Sequence, residues 1–424
     1  MVSSLHHPSI ALISVHGDPS VDIGREEAGG QNVYVRQVGE ALARLEWDVA
    51  MFTRQTHADQ PRVVEHLPNC RTIRLTAGPE DFVPRDEIFD YLPMFVQEFL
   101  RYQRSIGHVF PLIHTNYWLS SWVGMQLKQH QSVQQVHTYH SVGAVKYQSM
   151  DALPAIATTR LAVEQRCLET AERVVATSPQ EWDHLRSLVS SHGRVDVIPC
   201  GTDIERFGHV SMATARQALG LAADAKVVFY VGRFDPRKGI ETVVRAVGQS
   251  HLRQDERLRL IIGGGSRPGH SDGRERERIE GIVADLGLQA QTWFPGRISD
   301  EDLPLYYAAA DVCVVPSHYE PFGLVAIEAM ASSTPVVASD VGGLQYTVVP
   351  GETGLLAPVR DAAAFAQAID QILSQPDWRD QLGRAARDRV VDYFSWDGVA
   401  IQLDRLYRKL LLGSDARHLN QVGA

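Results

Sequence analysis

Val227-Val228-Phe229-Tyr230-Val231-Gly232-Arg233-Phe234-Asp235-Pro236-Arg237-Lys238-Gly239 carries the pattern from which the fold can be read. A run of β-branched and aromatic residues suits a strand buried on both faces. Gly232 ends it, and Pro236 and Gly239 punctuate a short turn. Residues 240–248 then follow as a helix. The same strand, turn and helix recur on both sides of this stretch. Downstream, residues 258–262, 291–294, 312–315 and 335–338 read as strands, and 275–286 and 302–309 as helices. Upstream, strands are expected at 10–15, 48–53, 72–75, 112–114, 134–138, 173–177 and 195–198. Val35, Val38, Leu42 and Leu45 fall at helical spacing between the first two. Such alternation predicts an α/β protein of parallel sheets covered by helices.

A chain of 424 residues is too long for one core, and two domains of roughly 200 residues are expected. The spacing places them at residues 1–206 and 207–395. Val399, Leu403, Leu406 and Leu410 give residues 396–424 a helical tail. A composition 44% hydrophobic and 22% charged is that of a globular protein. A formal charge of -10 disfavours nucleic acid, whose phosphates need a basic face. The four cysteines lack Cys-x-x-Cys spacing, so they are read as buried apolar residues rather than a zinc site or disulfides. His6-His7 has no third ligand nearby. No apolar run reaches membrane-span length and the start lacks a signal-peptide pattern, so a cytoplasmic location is expected.

In open α/β sheets ligands bind beyond the carboxyl ends of the strands. Arg233 and Lys238 stand there beside a helix N-terminus and suit a diphosphate, above all one that departs with growing charge. Gly239 follows Lys238 where a Walker loop needs Ser or Thr. Arg237 reads as part of a basic surface turn. The stretch His318-Tyr319-Glu320-Pro321-Phe322-Gly323-Leu324-Val325-Ala326-Ile327-Glu328 follows another strand. Its two carboxylates, in the loop and about two turns down a helix, can face one cleft and accept hydrogen bonds from vicinal diols. The neighbouring cations favour a phosphate-bearing substrate over glycoside hydrolysis. Gly342-Gly343 is read as holding backbone near the same ligand, and Gly263-Gly264-Gly265 as a tight turn.

Gly29-Gly30-Gln31-Asn32 precedes a helix expected from about Asn32 and reads equally as an anion-binding backbone or an ordinary loop. Asp18, Asp22, Glu26 and Glu27 are candidates to accept sugar hydroxyls, or a solvated loop. Arg85, Tyr117, His137, His140, Ser141, Lys146 and Arg160 form a further group. Singly, such a histidine is structural and such cations are solvated.

Gly232-Arg233-x4-Lys238-Gly239 with Glu320-x7-Glu328 resembles the retaining glycosyltransferases of the GT-B fold, in the family of sucrose synthase and sucrose-phosphate synthase. The resemblance covers essentially the whole chain. His16-Gly17-Asp18-Pro19, continuing through Ile23-Gly24-Arg25-Glu26-Glu27-Ala28-Gly29-Gly30-Gln31-Asn32, resembles the sucrose-phosphate synthases more than the sucrose synthases. It is also similar to the glycosyltransferases of mycothiol synthesis, which act on inositol phosphate. The resemblance implies two Rossmann-like domains facing across a cleft, acceptor-binding then nucleotide-sugar-binding, with the last helix crossing back to the first domain. It implies that Arg233 and Lys238 hold the diphosphate and that Glu328 binds the ribose. Glu320, Phe322, Gly323 and Leu324 then hold the donor hexose, and backbone at Arg297 and Ile298 reads the uracil. His140 touches the transferred sugar, and Gly30 and Gln31 lie between donor and acceptor. Arg85, Tyr117, Ser141, Lys146 and Arg160 surround a phosphorylated acceptor, with Arg85 where a lysine is common.

The reaction so implied moves glucose from UDP-glucose to fructose 6-phosphate with retention, giving sucrose 6-phosphate and UDP. The two domains close to exclude water. No metal or other cofactor is implied, since two cations take the place of a metal. A separate phosphatase would finish the product, and neither nucleic acid nor membrane is a partner. Transfer to fructose or to inositol phosphate are alternatives on the same fold. A sugar-nucleotide epimerase or hydrolase, and a non-catalytic nucleotide-sugar sensor, are alternatives of another class.

Overall fold

The computed structural model describes residues 7–21, 29–148, 150 and 152–422. The chain forms two compact units. Unit 1 comprises residues up to Pro199 together with those from Trp396, and unit 2 runs from Cys200 to Ser395. The division thus falls seven residues before the expected 206/207 boundary. The terminal helix, Trp396–Val422, groups with unit 1.

The strands of unit 1 are β1 (Ser9–Ile13), β2 (Asp48–Arg54), β3 (Val63–Leu67), β4 (Cys70–Leu75), β5 (Leu112–Asn116), β6 (Gln134–Thr138), β7 (Arg173–Ala176) and β8 (Val195–Val197). They pair in the order β3-β4-β2-β1-β5-β6-β7-β8. All neighbours are parallel except β3 and β4, which run antiparallel and correct the expectation of a wholly parallel sheet. Unit 2 has β9 (Lys226–Val231), β10 (Leu258–Gly263), β11 (Thr292–Gly296), β12 (Val312–Val315), β13 (Val336–Ser339) and β14 (Gly354–Ala357). Their order, β11-β10-β9-β12-β13-β14, is that of a doubly wound sheet, parallel throughout.

Burial explains the patterns. In β12 every residue is buried, as a central parallel strand requires. Tyr34, Val35, Val38, Ala41 and Leu42 form the buried stripe of the helix Gly30–Arg44, which starts two residues before Asn32. The helix Trp396–Val422 packs against it. Trp47 Nε1 donates to Asp404 at 2.7 Å, and Tyr407 meets His114 Nδ1 at 2.5 Å. The last helix is therefore bonded to the centre of unit 1's sheet.

Each sheet has one place where the strand order reverses: between β1 and β5 in unit 1, and between β9 and β12 in unit 2. Diverging connections leave a crevice there. His16 follows β1 and Tyr117 follows β5; Arg233 and Lys238 follow β9 and Glu320 follows β12. Both groups of candidate residues therefore flank a reversal.

Candidate active site

In unit 2 the turn after β9 lies against the loop after β12. Gly239 permits this. Its φ is 69°, and a Cβ there would sit 2.0 Å from the Pro316 carbonyl oxygen. The close approach brings Lys238 Nζ to 2.6 Å from Glu320 Oε2, to which Ser317 Oγ also donates at 3.2 Å. Arg233 is exposed and makes no ion pair among the described residues. Arg237, by contrast, closes on Asp235 at 2.5 Å.

Phe322 is buried, and Gly323, with φ 98°, precedes the helix Leu324–Ala331. Glu328 lies within that helix and accepts from Tyr307 Oη at 2.7 Å. Burial pushes its carboxyl up to about 7, against the pull of the Tyr307 hydrogen bond. Arg297 is exposed, and Ile298 packs where a side chain on Gly263 would stand. Gly263 ends β10, and Gly264 N donates to Gly296 O at 2.8 Å, so in place of the expected tight turn the backbone stays extended beside β11. Gly342 and Gly343 pack against the Glu320 loop. A Cβ on either would strike the backbone of Glu320 or Phe322, and Gly343 N donates to Glu320 O at 2.9 Å. Their close approach is to the Glu320 loop, which they hold in place.

In unit 1 the basic group assembles around Tyr117. The Arg85 and Arg160 guanidinium carbons lie 5.7 and 5.0 Å from its ring centroid, within cation–π range. His16 packs its ring against Tyr117 at 4.6 Å. Arg160 is buried and fully engaged. It pairs with Glu164 at 2.7 Å and donates to Tyr117 Oη at 3.1 Å and to the Ser141 carbonyl at 2.5 Å. The solvated cation that sequence suggests for a lone Arg160 is thus corrected: the residue organises Tyr117 and Ser141. Lys146 is half-buried, and its charge favours the ionised form of Glu164, whose pKa burial raises.

His140, after β6, adopts φ 57°, and Tyr117 adopts φ 73°. Left-handed backbone at two side-chain-bearing residues is strain of the kind that collects at functional sites. Burial pushes His140 down to about 3. Burial, then the charges of Arg85, His140 and Arg160, push His16 well below the usual histidine range. Gly30 opens its helix, and Gln31 Nε2 donates to Ser14 Oγ at 3.0 Å. Asp18 does not await a sugar: it is buried, paired with Arg74 at 2.7 Å, and its carbonyl accepts from Asn32. Asp22, Glu26, Glu27 and the motif residues 23–28, like His6, lie outside the described residues. His137 is a buried framework residue bonded to Thr115.

Sequence reading passed over Asn116, Glu164 and Tyr307 as site residues, and gave His16 no role of its own. The signal available for His16 was its place immediately after β1, at the strand reversal.

The family model for a glycosyl transferase 4-like domain matches residues 29–201, and that for glycosyl transferases group 1 matches residues 211–389. A D-inositol 3-phosphate glycosyltransferase of Corynebacterium urealyticum is 36% identical over 408 residues, 95% of each chain. The chain belongs to the group 1 glycosyltransferase family. Among solved structures, this glycosyltransferase is similar to a sucrose-phosphate synthase from Thermosynechococcus elongatus, at 54% identity and a TM-score of 0.88, over 96% of this chain and 100% of that one. Anabaena HepE in complex with UDP and glucose shares the fold at 21% identity and a TM-score of 0.74, over 95% and 100% of the two chains. The glycosyltransferase therefore has the GT-B fold. Among its described residues no helix is long and apolar enough to cross a membrane.

Proposed function

We propose that this enzyme transfers glucose from UDP-glucose to fructose 6-phosphate, with retained anomeric configuration, to give sucrose 6-phosphate and UDP. The observation that carries the reading is the 54% identity, across 96% of the chain, to a sucrose-phosphate synthase. Arg85 beside Tyr117, with Arg160 holding the Tyr117 and Ser141 hydroxyls in place, supports a phosphorylated acceptor, because a cation and two hydroxyls are held in one place. Lys146 completes that charge.

In this reading Arg233 and Lys238 bind the diphosphate and stabilise it as the bond from the anomeric carbon to the β-phosphate oxygen breaks. The acceptor hydroxyl forms its new bond on the same face. Its proton passes to an oxygen of the departing phosphate, so no side-chain base is used. Glu328 accepts from the ribose hydroxyls, while Glu320, Phe322, Gly323 and Leu324 hold the hexose. Backbone at Arg297 and Ile298 reads the uracil, and Gly30 and Gln31 stand between the two substrates. The reaction proceeds without a metal, in the cytoplasm, and a separate phosphatase acts on the product.

Inositol phosphate as acceptor is the second reading, favoured by the 36% identical D-inositol 3-phosphate glycosyltransferase. Both readings share the phosphate and part at the rest of the acceptor. A matrix of UDP-glucose and ADP-glucose against fructose 6-phosphate, fructose and inositol phosphate, read by product mass, tests them. Sucrose phosphate from the first acceptor is the expected product. A preference for unphosphorylated fructose overturns the assignment.

A further inference from the structure

Asn116 fixes which nitrogen of the His140 ring carries the proton. His140 Nε2 lies 2.8 Å from Asn116 Oδ1. The other end of the same amide, Nδ2, faces two backbone carbonyls, those of His114 at 3.2 Å and Ile13 at 3.5 Å. Carbonyl oxygens only accept, so the NH2 group belongs on that side and Oδ1 on the side of His140. An acceptor facing Nε2 requires a proton on Nε2. A neutral ring with its proton there carries its lone pair on Nδ1. That atom has no hydrogen-bond partner among the described residues.

The amide is itself held. Asn116 ends β5, is 1% exposed, and its backbone carbonyl accepts from Gln31 Nε2 at 3.4 Å. Tyr34 packs edge-on against the His140 ring with centroids 4.8 Å apart, which limits its rotation. Burial keeps the ring neutral, with its pKa near 3.

We infer that Asn116 is a positioning residue that locks His140 in the Nε2–H tautomer, so that Nδ1 serves only as a hydrogen-bond acceptor for a hydroxyl of the sugar being transferred. The tautomer follows from the hydrogen-bond network, and the hydroxyl rests on the glycosyl-transfer reading above. His140 in this state neither donates to the sugar through Nδ1 nor delivers a proton to the leaving group.

The test is nitrogen-15 NMR of the histidine-labelled full-length enzyme, with the His140 signals assigned by their loss in His140→Gln. The expected wild-type spectrum has a protonated Nε2 and an unprotonated Nδ1. A proton on Nδ1 overturns the inference. Asn116→Leu removes the acceptor and should mix the tautomers. Its kcat with UDP-glucose and fructose 6-phosphate should fall about tenfold, the worth of one hydrogen bond, with both KM values little changed. An Asn116→Leu enzyme with an unaltered tautomer and rate also overturns the role. A wild type that does not turn over UDP-glucose removes the transfer reading, and the spectrum alone then decides the tautomer.

Discussion

Arg160 in unit 1 and Lys238 in unit 2 both face a glutamate, and their surroundings differ. The side chains of Arg160 and Glu164 are 2% and 0% exposed, whereas those of Lys238 and Glu320 are 29% and 15% exposed. The first pair is built into the fold and needs its partner at all times, because a buried charge left alone is costly. The second can exchange its carboxylate for another anion at small cost, since solvent already screens it. One glutamate therefore holds a site in shape, and the other, on the proposed reading, keeps a cation in place for a phosphate.

The sharpest way to break that contrast is Lys238→Ala. If Lys238 serves the departing diphosphate, the maximal rate should fall about 10²–10³-fold, measured as UDP release. The melting temperature should scarcely move, since a pair that solvent already reaches contributes about 0–1 kcal/mol. An unchanged rate would refute its leaving-group role.

Arg160→Met should behave in the opposite way. It strands Glu164 in the core and should cost about 3–5 kcal/mol of stability in urea denaturation. A loss below about 1 kcal/mol would mean that Arg160 is not part of the framework. Rate changes in this variant are secondary to the loosening of Tyr117 and Ser141, both of which it holds.

A smaller effect separates the sites by pH. Glu328 has its pKa raised to about 7 from 4.5, first by burial. The folded state therefore holds this proton more tightly than the unfolded chain. The stability it contributes is full below about pH 4.5 and is lost as pH rises through about 7. Function should run the other way if the carboxylate accepts from the ribose: KM for UDP-glucose should rise as pH falls through 7. Glu328→Gln should flatten that profile, and a profile unchanged by the substitution would remove Glu328 from the donor site.

The sequence disclosed these sites unequally. Arg233, Lys238 and Glu320 stand directly after strands whose burial makes them apolar, so strand ends and charges could be read together. β3 escaped because Val63–Leu67 is an antiparallel edge strand with exposed and half-buried residues, which lacks the continuous apolar run of its parallel neighbours. β14 escaped because Gly354–Ala357 is short and has no β-branched residue. Asn116 and Glu164 were hidden for a different reason. Their significance lies in a partner, His140 or Arg160, and Asn116 meets His140 only because β5 and β6 are neighbours. Spacing along the chain does not express that. Arg160 shows the same limit, since its buried partner is what separates framework from surface charge.

Arg237 provides the finest test of the comparison, because it is adjacent to Lys238 in the same turn. Residue type alone would make it the better phosphate ligand, given its forked donors. Its guanidinium instead closes on Asp235, two residues back, through Nε at 3.1 Å and a terminal nitrogen at 2.5 Å. Asp235 also accepts from the backbone N–H of Arg237 at 3.0 Å, a bond that any residue at this position can make. Arg237→Gln should therefore leave the turn intact. It should change stability by no more than about 0.5 kcal/mol and the rate by less than about threefold. A loss of rate approaching that of Lys238→Ala would show that proximity to the turn, rather than the partner each cation already holds, decides which of them the diphosphate uses.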